Sequence, residues 1–156
     1  MRAVGVLLVF VAPSLVLSNA GKVLTMNAFS SVSCANEDVS ANVQAILMDE
    51  DGWVTDDVVA KVELFLTPVD PVQVADFHSV KVTESGFENE AELYIVFIHN
   101  CSGTTRVDCT PIQDVGFAGS AHFGFITLGS ESGPIDGLED CPAANDYFKL
   151  PEPENP

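Results

Sequence analysis

Six consecutive apolar residues, Leu93 to Ile98, form the centre of the segment Ala91–Cys101, A-E-L-Y-I-V-F-I-H-N-C. Tyr94, Ile95, Val96 and Phe97 are aromatic or β-branched, which favours a strand over a helix. A half-wet strand would alternate apolar and polar residues; an unbroken run predicts a strand covered on both faces. It stops abruptly at His99-Asn100-Cys101. The rest of the chain must supply the partners that cover it.

Those partners read as further short strands. Lys22–Ser33 is small and mildly apolar and leads into Cys34. Ala41, Val43, Ala45 and Leu47 then alternate with Asn42, Gln44, Ile46 and Met48, a strand with one face polar only at its start. In Val58–Thr67, Val62, Leu64 and Leu66 share one parity against Lys61, Glu63 and Phe65. A helix is the alternative there, and the β-branched content favours the strand. Pro68 and Pro71 end that segment. Val72, Val74, Phe77, Val80 and Val82 suggest another strand, with a break expected near Asp76. Residues 101–119 read as turns and connections. In the last strand, S-A-H-F-G-F-I-T-L-G, Ala121, Phe123, Phe125 and Thr127 are expected on one face, with His122, Ile126 and Leu128 on the other. Gly124 in its middle points to a bulge or a close backbone approach. Six or seven short strands joined by turns predict an all-β fold, a β-sandwich.

The first twenty residues carry one positive charge, an apolar core broken at Pro13, and small residues at Ser18 and Ala20. That is the signal-peptide pattern, with cleavage expected after Ala20. A membrane anchor is the rival, but the run falls short of the ~20 apolar residues a span needs, and no later stretch approaches that length. The sequence therefore predicts a secreted, extracellular, soluble protein: signal peptide 1–20, one sandwich domain 21–141, and a proline-rich acidic tail 142–156 expected to be disordered. The formal net charge of −17 becomes one unit more negative once the signal is removed. Such a charge repels phosphate backbones and anionic head groups, so nucleic acid and direct membrane attachment are disfavoured.

Four cysteines, Cys34, Cys101, Cys109 and Cys141, remain in the mature chain. In a small secreted domain an even count implies two disulfides, with three pairings open. The turn-rich S-G-T-T-R-V-D between Cys101 and Cys109 favours a local bridge, which leaves Cys34 for Cys141. A zinc site is the rival, and no C-x-x-C pair supports it.

Candidate chemistry is sparse. The loop M-D-E-D-G-W-V-T-D-D holds the only tryptophan, Trp53, and carboxylates at Asp49, Asp51, Asp56 and Asp57 that could converge on calcium. The EF-hand template fails, because aligning Gly52 with its glycine puts Leu47 and Val58 at ligand positions. A solvated loop is the simpler expectation. Of the three histidines, His78, His99 and His122, His99 is best explained by a structural hydrogen bond beside a disulfide, and no spacing brings the three together. There is no G-x-S-x-G elbow, and the cysteines are expected in bridges, so no nucleophile is apparent. No catalysis and no cofactor are expected. Asn100-Cys101-Ser102 is the one N-x-S/T sequon, making Asn100 a candidate glycosylation site.

The order of these features resembles the nematode transthyretin-like family of secreted proteins. The likeness rests on a cysteine closing the first strand, then N-V-Q-A-I-L-M-D-E-D, the Asp56–Asp57 pair, L-Y-I-V-F-I-H-N-C with a further cysteine soon after, and F-G-F-I-T-L-G followed by E-D-C. It covers roughly Val32 to Cys141. The resemblance implies a transthyretin-like (prealbumin-like, immunoglobulin-like) sandwich of about seven strands, an extracellular location and, for most members, no settled activity. The hydrolase branch of the transthyretin fold ends in Tyr-Arg-Gly-Ser, whereas this chain ends P-E-P-E-N-P.

Two functions are then weighed above catalysis. One is an extracellular interaction protein that binds a protein partner, host or cell-surface, through its sandwich face or loops. The other is a carrier of a small apolar ligand, with Phe123, Phe125 and Ile126 lining a pocket or a dimer channel.

Overall fold

A computed structural model describes residues 22–50, 56–84, 90–116 and 119–129, and every regular element among them is a β-strand. The segments read as signal peptide and tail lie outside these residues, as do Asp51, Trp53 and Cys141. The strands are β1 (Lys22–Cys34), β2 (Ala41–Asp49), β3 (Asp57–Leu66), β4 (Val72–Glu84), β5 (Glu90–His99), β6 (Arg106–Cys109), β7 (Gln113–Gly116) and β8 (Ser120–Leu128).

They form two sheets, a β-sandwich. One is three-stranded, in the order β4-β1-β8, with β1 antiparallel to β4 and parallel to β8. The other is five-stranded, in the order β3-β2-β5-β6, with β7 also paired to β5. β5 is thus an interior strand. β2 lies along one edge, and on the other edge β6 pairs residues 96–99 while β7 pairs residues 90–93. Between those two short strands, the Thr110 hydroxyl accepts the Ile95 N–H at 2.9 Å and its own N–H donates to the Ile95 carbonyl at 3.0 Å. No backbone group in the middle of the apolar run is stranded, as burial requires.

The both-faces expectation for β5 holds. Leu93, Ile95 and Phe97 point between the sheets, where they meet Leu24, Met26, Leu47 and Phe77. Tyr94 and Val96 point the other way and cluster with Ile46, Met48 and Cys109. Side chains alternate along a strand, so these two sets occupy opposite faces of the five-stranded sheet. Each fully buried large aliphatic or aromatic side chain contributes about 1.5–3 kcal/mol relative to exposure. The central run therefore anchors two apolar layers.

Four sequence expectations need correction. β4 is continuous through Asp76. Its irregularity comes later, at His78–Ser79 opposite Asn27, where Ser79 has a φ of 54° and its N–H donates to Asn27 Oδ1 at 2.8 Å. The 101–119 region holds two four-residue strands, β6 and β7, too short and polar to show a period. In β8, Phe123 and Gly124 together face the single residue Ser30, a bulge in which Gly124 takes a φ of 76°. One extra residue flips the parity beyond it. Ala121 and Phe123 face the core, then Ile126 and Leu128 do, and Phe125 is turned outward, 58% exposed. The simple alternation had paired Phe123 with Phe125.

The fourth correction is covalent. Cys34 is bonded to Cys101 (S–S 2.06 Å, Cα–Cα 5.3 Å), not Cys101 to Cys109. β5 and β6 pair with Val96 opposite Cys109, which puts Cys109 five residues back along β5 from Cys101, roughly 16 Å at strand rise. A disulfide cannot reach that far. Cys109 also belongs to the outer cluster and Cys101 to the inter-sheet core. The ends of β1 and β5 meet instead at one pole, and the bridge joins the two sheets there. Cys109 is itself disulfide-bonded.

Candidate interaction surface

The pole capped by the Cys34–Cys101 bridge gathers the residues that follow the apolar run. His99 is buried. Its Nδ1 accepts the Cys101 N–H at 3.3 Å, so the ring proton sits on Nε2, which donates to Asp108 Oδ2 at 2.7 Å. That hydrogen bond is the main cause holding the Asp108 carboxyl below its ordinary range. Partial burial opposes it, and the charge of Arg106 assists. Asn100 Oδ1 accepts the Asn42 N–H at 2.9 Å, tying the end of β5 to the start of β2. The half-buried sequon asparagine therefore has a structural partner, whether or not it carries a glycan.

The acidic residues considered for calcium are differently placed. Asp49 is buried and stands opposite exposed Asp57 in the β2–β3 register. Asp56 accepts the Tyr94 hydroxyl. Asp51 lies outside the described residues. Among the described residues no group of three or more His, Cys, Asp or Glu side chains could hold a metal ion. His78 and His122 sit on β4 and β8, separated by β1, and His99 is in the other sheet.

Phe123, Phe125 and Ile126 do not line one pocket. Phe123 and Ile126 are packed in the core and Phe125 is outside. Two of the depressions open at the surface lie among the described residues. One of about 440 Å³ lies beside the disulfide, between Val39, Ser102 and Gly129. The other, of about 310 Å³, is polar and is framed by Asn42, Gln44, Glu63, Ile98, Asn100 and Thr105 on the outer face of the five-stranded sheet. Gln44 Nε2 donates to Glu63 Oε1 at 2.5 Å across its floor. Phe65, 54% exposed, stands directly opposite Asn42 in the β2–β3 register and two residues from Glu63. An aromatic side chain on a strand beside a polar depression has the composition of a binding hot spot.

The three-stranded sheet has its own exposed face. Its outward rows run Asp76–Phe29–His122, Val74–Ser31–Phe125 and Val72–Ser33–Thr127. The Phe29 and His122 rings stack with centroids 4.5 Å apart. The sequence signal for this face was Gly124: the bulge it implies turns Phe125 outward once it is carried through the parity.

No helix among the described residues is long and apolar enough to cross a membrane. Comparison with protein-family models, with curated proteins and with solved structures returned no match.

Proposed function

We propose that this chain is a secreted interaction protein of the transthyretin-like family, binding an extracellular protein partner without catalysis. The observation that carries the binding reading is Phe65, exposed on β3 beside the polar depression between Asn42, Glu63 and Asn100. Its backbone is fixed by the β2–β3 pairing and by Gln73, whose side-chain amide accepts the Phe65 N–H at 3.1 Å and donates to the Phe65 carbonyl at 3.0 Å. An anchor held this way loses little conformational entropy on binding. The family assignment is supported by the order of the sequence motifs and by the sandwich architecture. The secreted location is supported by the signal pattern and by the use of cysteine in disulfides.

The test is a pull-down of the mature protein from extracellular fluid or host tissue, with native mass spectrometry on the same sample. A protein captured by the wild type and lost with Phe65→Ala is expected. A stoichiometric small molecule with no protein partner would instead establish the carrier function.

A further inference from the structure

The outer face of the three-stranded sheet is nearly free of the charge that dominates the chain. The outward positions of β1 and β8 carry no acid or base apart from His122, and those of β4 carry Asp76, His78 and Lys81, one acid against one fixed base. The whole chain has a formal net charge of −17. Two copies therefore repel over most of their surface. With Asp76 the one carboxylate among its outward positions, this face is where they can meet while burying the least unpaired charge, which is costly. A basic heterologous partner, drawn by the acidic field, is directed elsewhere.

The shape is self-complementary. On the central strand Ser31 is small and half-buried and Ser33 is buried, with Val72 and Val74 rising on one side and Phe125 on the other. Val72, Val74 and Phe125 are 42%, 53% and 58% exposed. A shallow dip thus lies over Ser31, flanked by Val74 and Phe125. We propose that a second copy of this chain packs on this face about a two-fold axis, Phe125 of each copy seated over Ser31 of the other. A two-fold contact repeats each Phe125-to-Ser31 contact, which is why one patch suffices for both sides. With β1 thirteen residues long and three strands side by side, the face measures roughly 40 Å by 14 Å. That is somewhat less than a standard interface contributes per partner, so the dimer is reversible and concentration-dependent. It leaves Phe65, on the opposite sheet, facing outward in both copies. The contact goes beyond the partner-binding function and does not depend on it.

Sedimentation velocity on the full mature chain across the micromolar range tests the contact, at low and at high salt. The expected result is a monomer–dimer equilibrium that shifts toward dimer as salt screens the mutual repulsion. Phe125→Glu abolishes the dimer, while Phe65→Ala leaves it unchanged. Val74→Glu, on the other flank of Ser31, serves as the same test should Phe125→Glu fail to fold, as judged by circular dichroism. A chain that stays monomeric at every concentration and salt would overturn the contact. So would a dimer that survives both glutamate substitutions, or one that salt dissociates.

Discussion

His99 Nε2 lies 2.7 Å from Asp108 Oδ2 while its Nδ1 holds the Cys101 N–H, so one buried imidazole links β6 to the residue that joins the sheets. The Asp108 carboxyl is depressed mainly by that hydrogen bond. A carboxyl with a folded-state pKa below its unfolded value binds fewer protons when folded. Its contribution is present above about 3.8 and is lost as the pH falls through the lower folded value. Asp108→Asn should flatten the acid limb of a stability–pH profile measured by urea unfolding. At neutral pH, Asp108→Ala should cost about 1.5–3 kcal/mol, the range for a hydrogen bond to a charged group.

Cys34 and Cys101 are 67 residues apart, and closing a loop of that size constrains the unfolded chain by about 4 kcal/mol in the entropic model. Peptide mapping without reduction should link these two residues. Cys34→Ser should lower the midpoint of thermal unfolding sharply. A Cys101–Cys109 linked peptide would contradict the register of β5 and β6.

Gly129 packs against that bridge. A Cβ built there would lie 2.8 Å from the Cys101 Cβ, and the residue has a φ of 77°. Gly103 has a similar φ of 82° but open space around it. Gly129→Ala should therefore cost about 2–4 kcal/mol, from steric conflict added to backbone strain. Gly103→Ala carries the strain alone and should cost about 1 kcal/mol. Denaturant midpoints for the pair separate the two effects.

Asn100 offers a test that separates structure from modification. Asn100→Asp removes the sequon and keeps an oxygen for the Asn42 N–H, so stability should hold. Asn100→Ala loses the acceptor and should cost about 1 kcal/mol. If a glycan is attached, the intact mass of the secreted protein falls by the carbohydrate mass in both variants, and capture through the adjacent depression should rise.

The sequence made the long strands plain, because burial writes a period or an unbroken apolar run into them. Leu93–Ile98 is the strongest case, and Ala41–Met48 showed even the face that turns polar at one end. β6 and β7 were not legible: four residues cannot display an alternation, and both exist because β5 offers an edge to pair with. The outward turn of Phe125 was half legible, since Gly124 signalled the bulge but a bulge inverts every assignment after it. The Cys34–Cys101 bridge could not be read from spacing. Nearness along the chain favoured Cys101–Cys109, whereas distance along a paired strand decides. The face around Ser31 and Phe125 appears only when β4, β1 and β8 are set side by side, and those strands are far apart in sequence.

Gln73 carries a consequence for how this protein behaves in bulk. β3 is the outermost strand of its sheet, and the Gln73 amide occupies the N–H and the C=O of Phe65, much as a neighbouring strand would. Asp70 Oδ2 in turn accepts from the Gln73 Nε2 at 2.9 Å and steadies it. One side chain thus blunts a strand margin that also displays an exposed phenylalanine, a combination that recruits further chains when left open. With leucine at position 73 the sandwich would still form. Its solutions would cloud on storage, as one molecule after another extended a sheet that the amide now brings to an end.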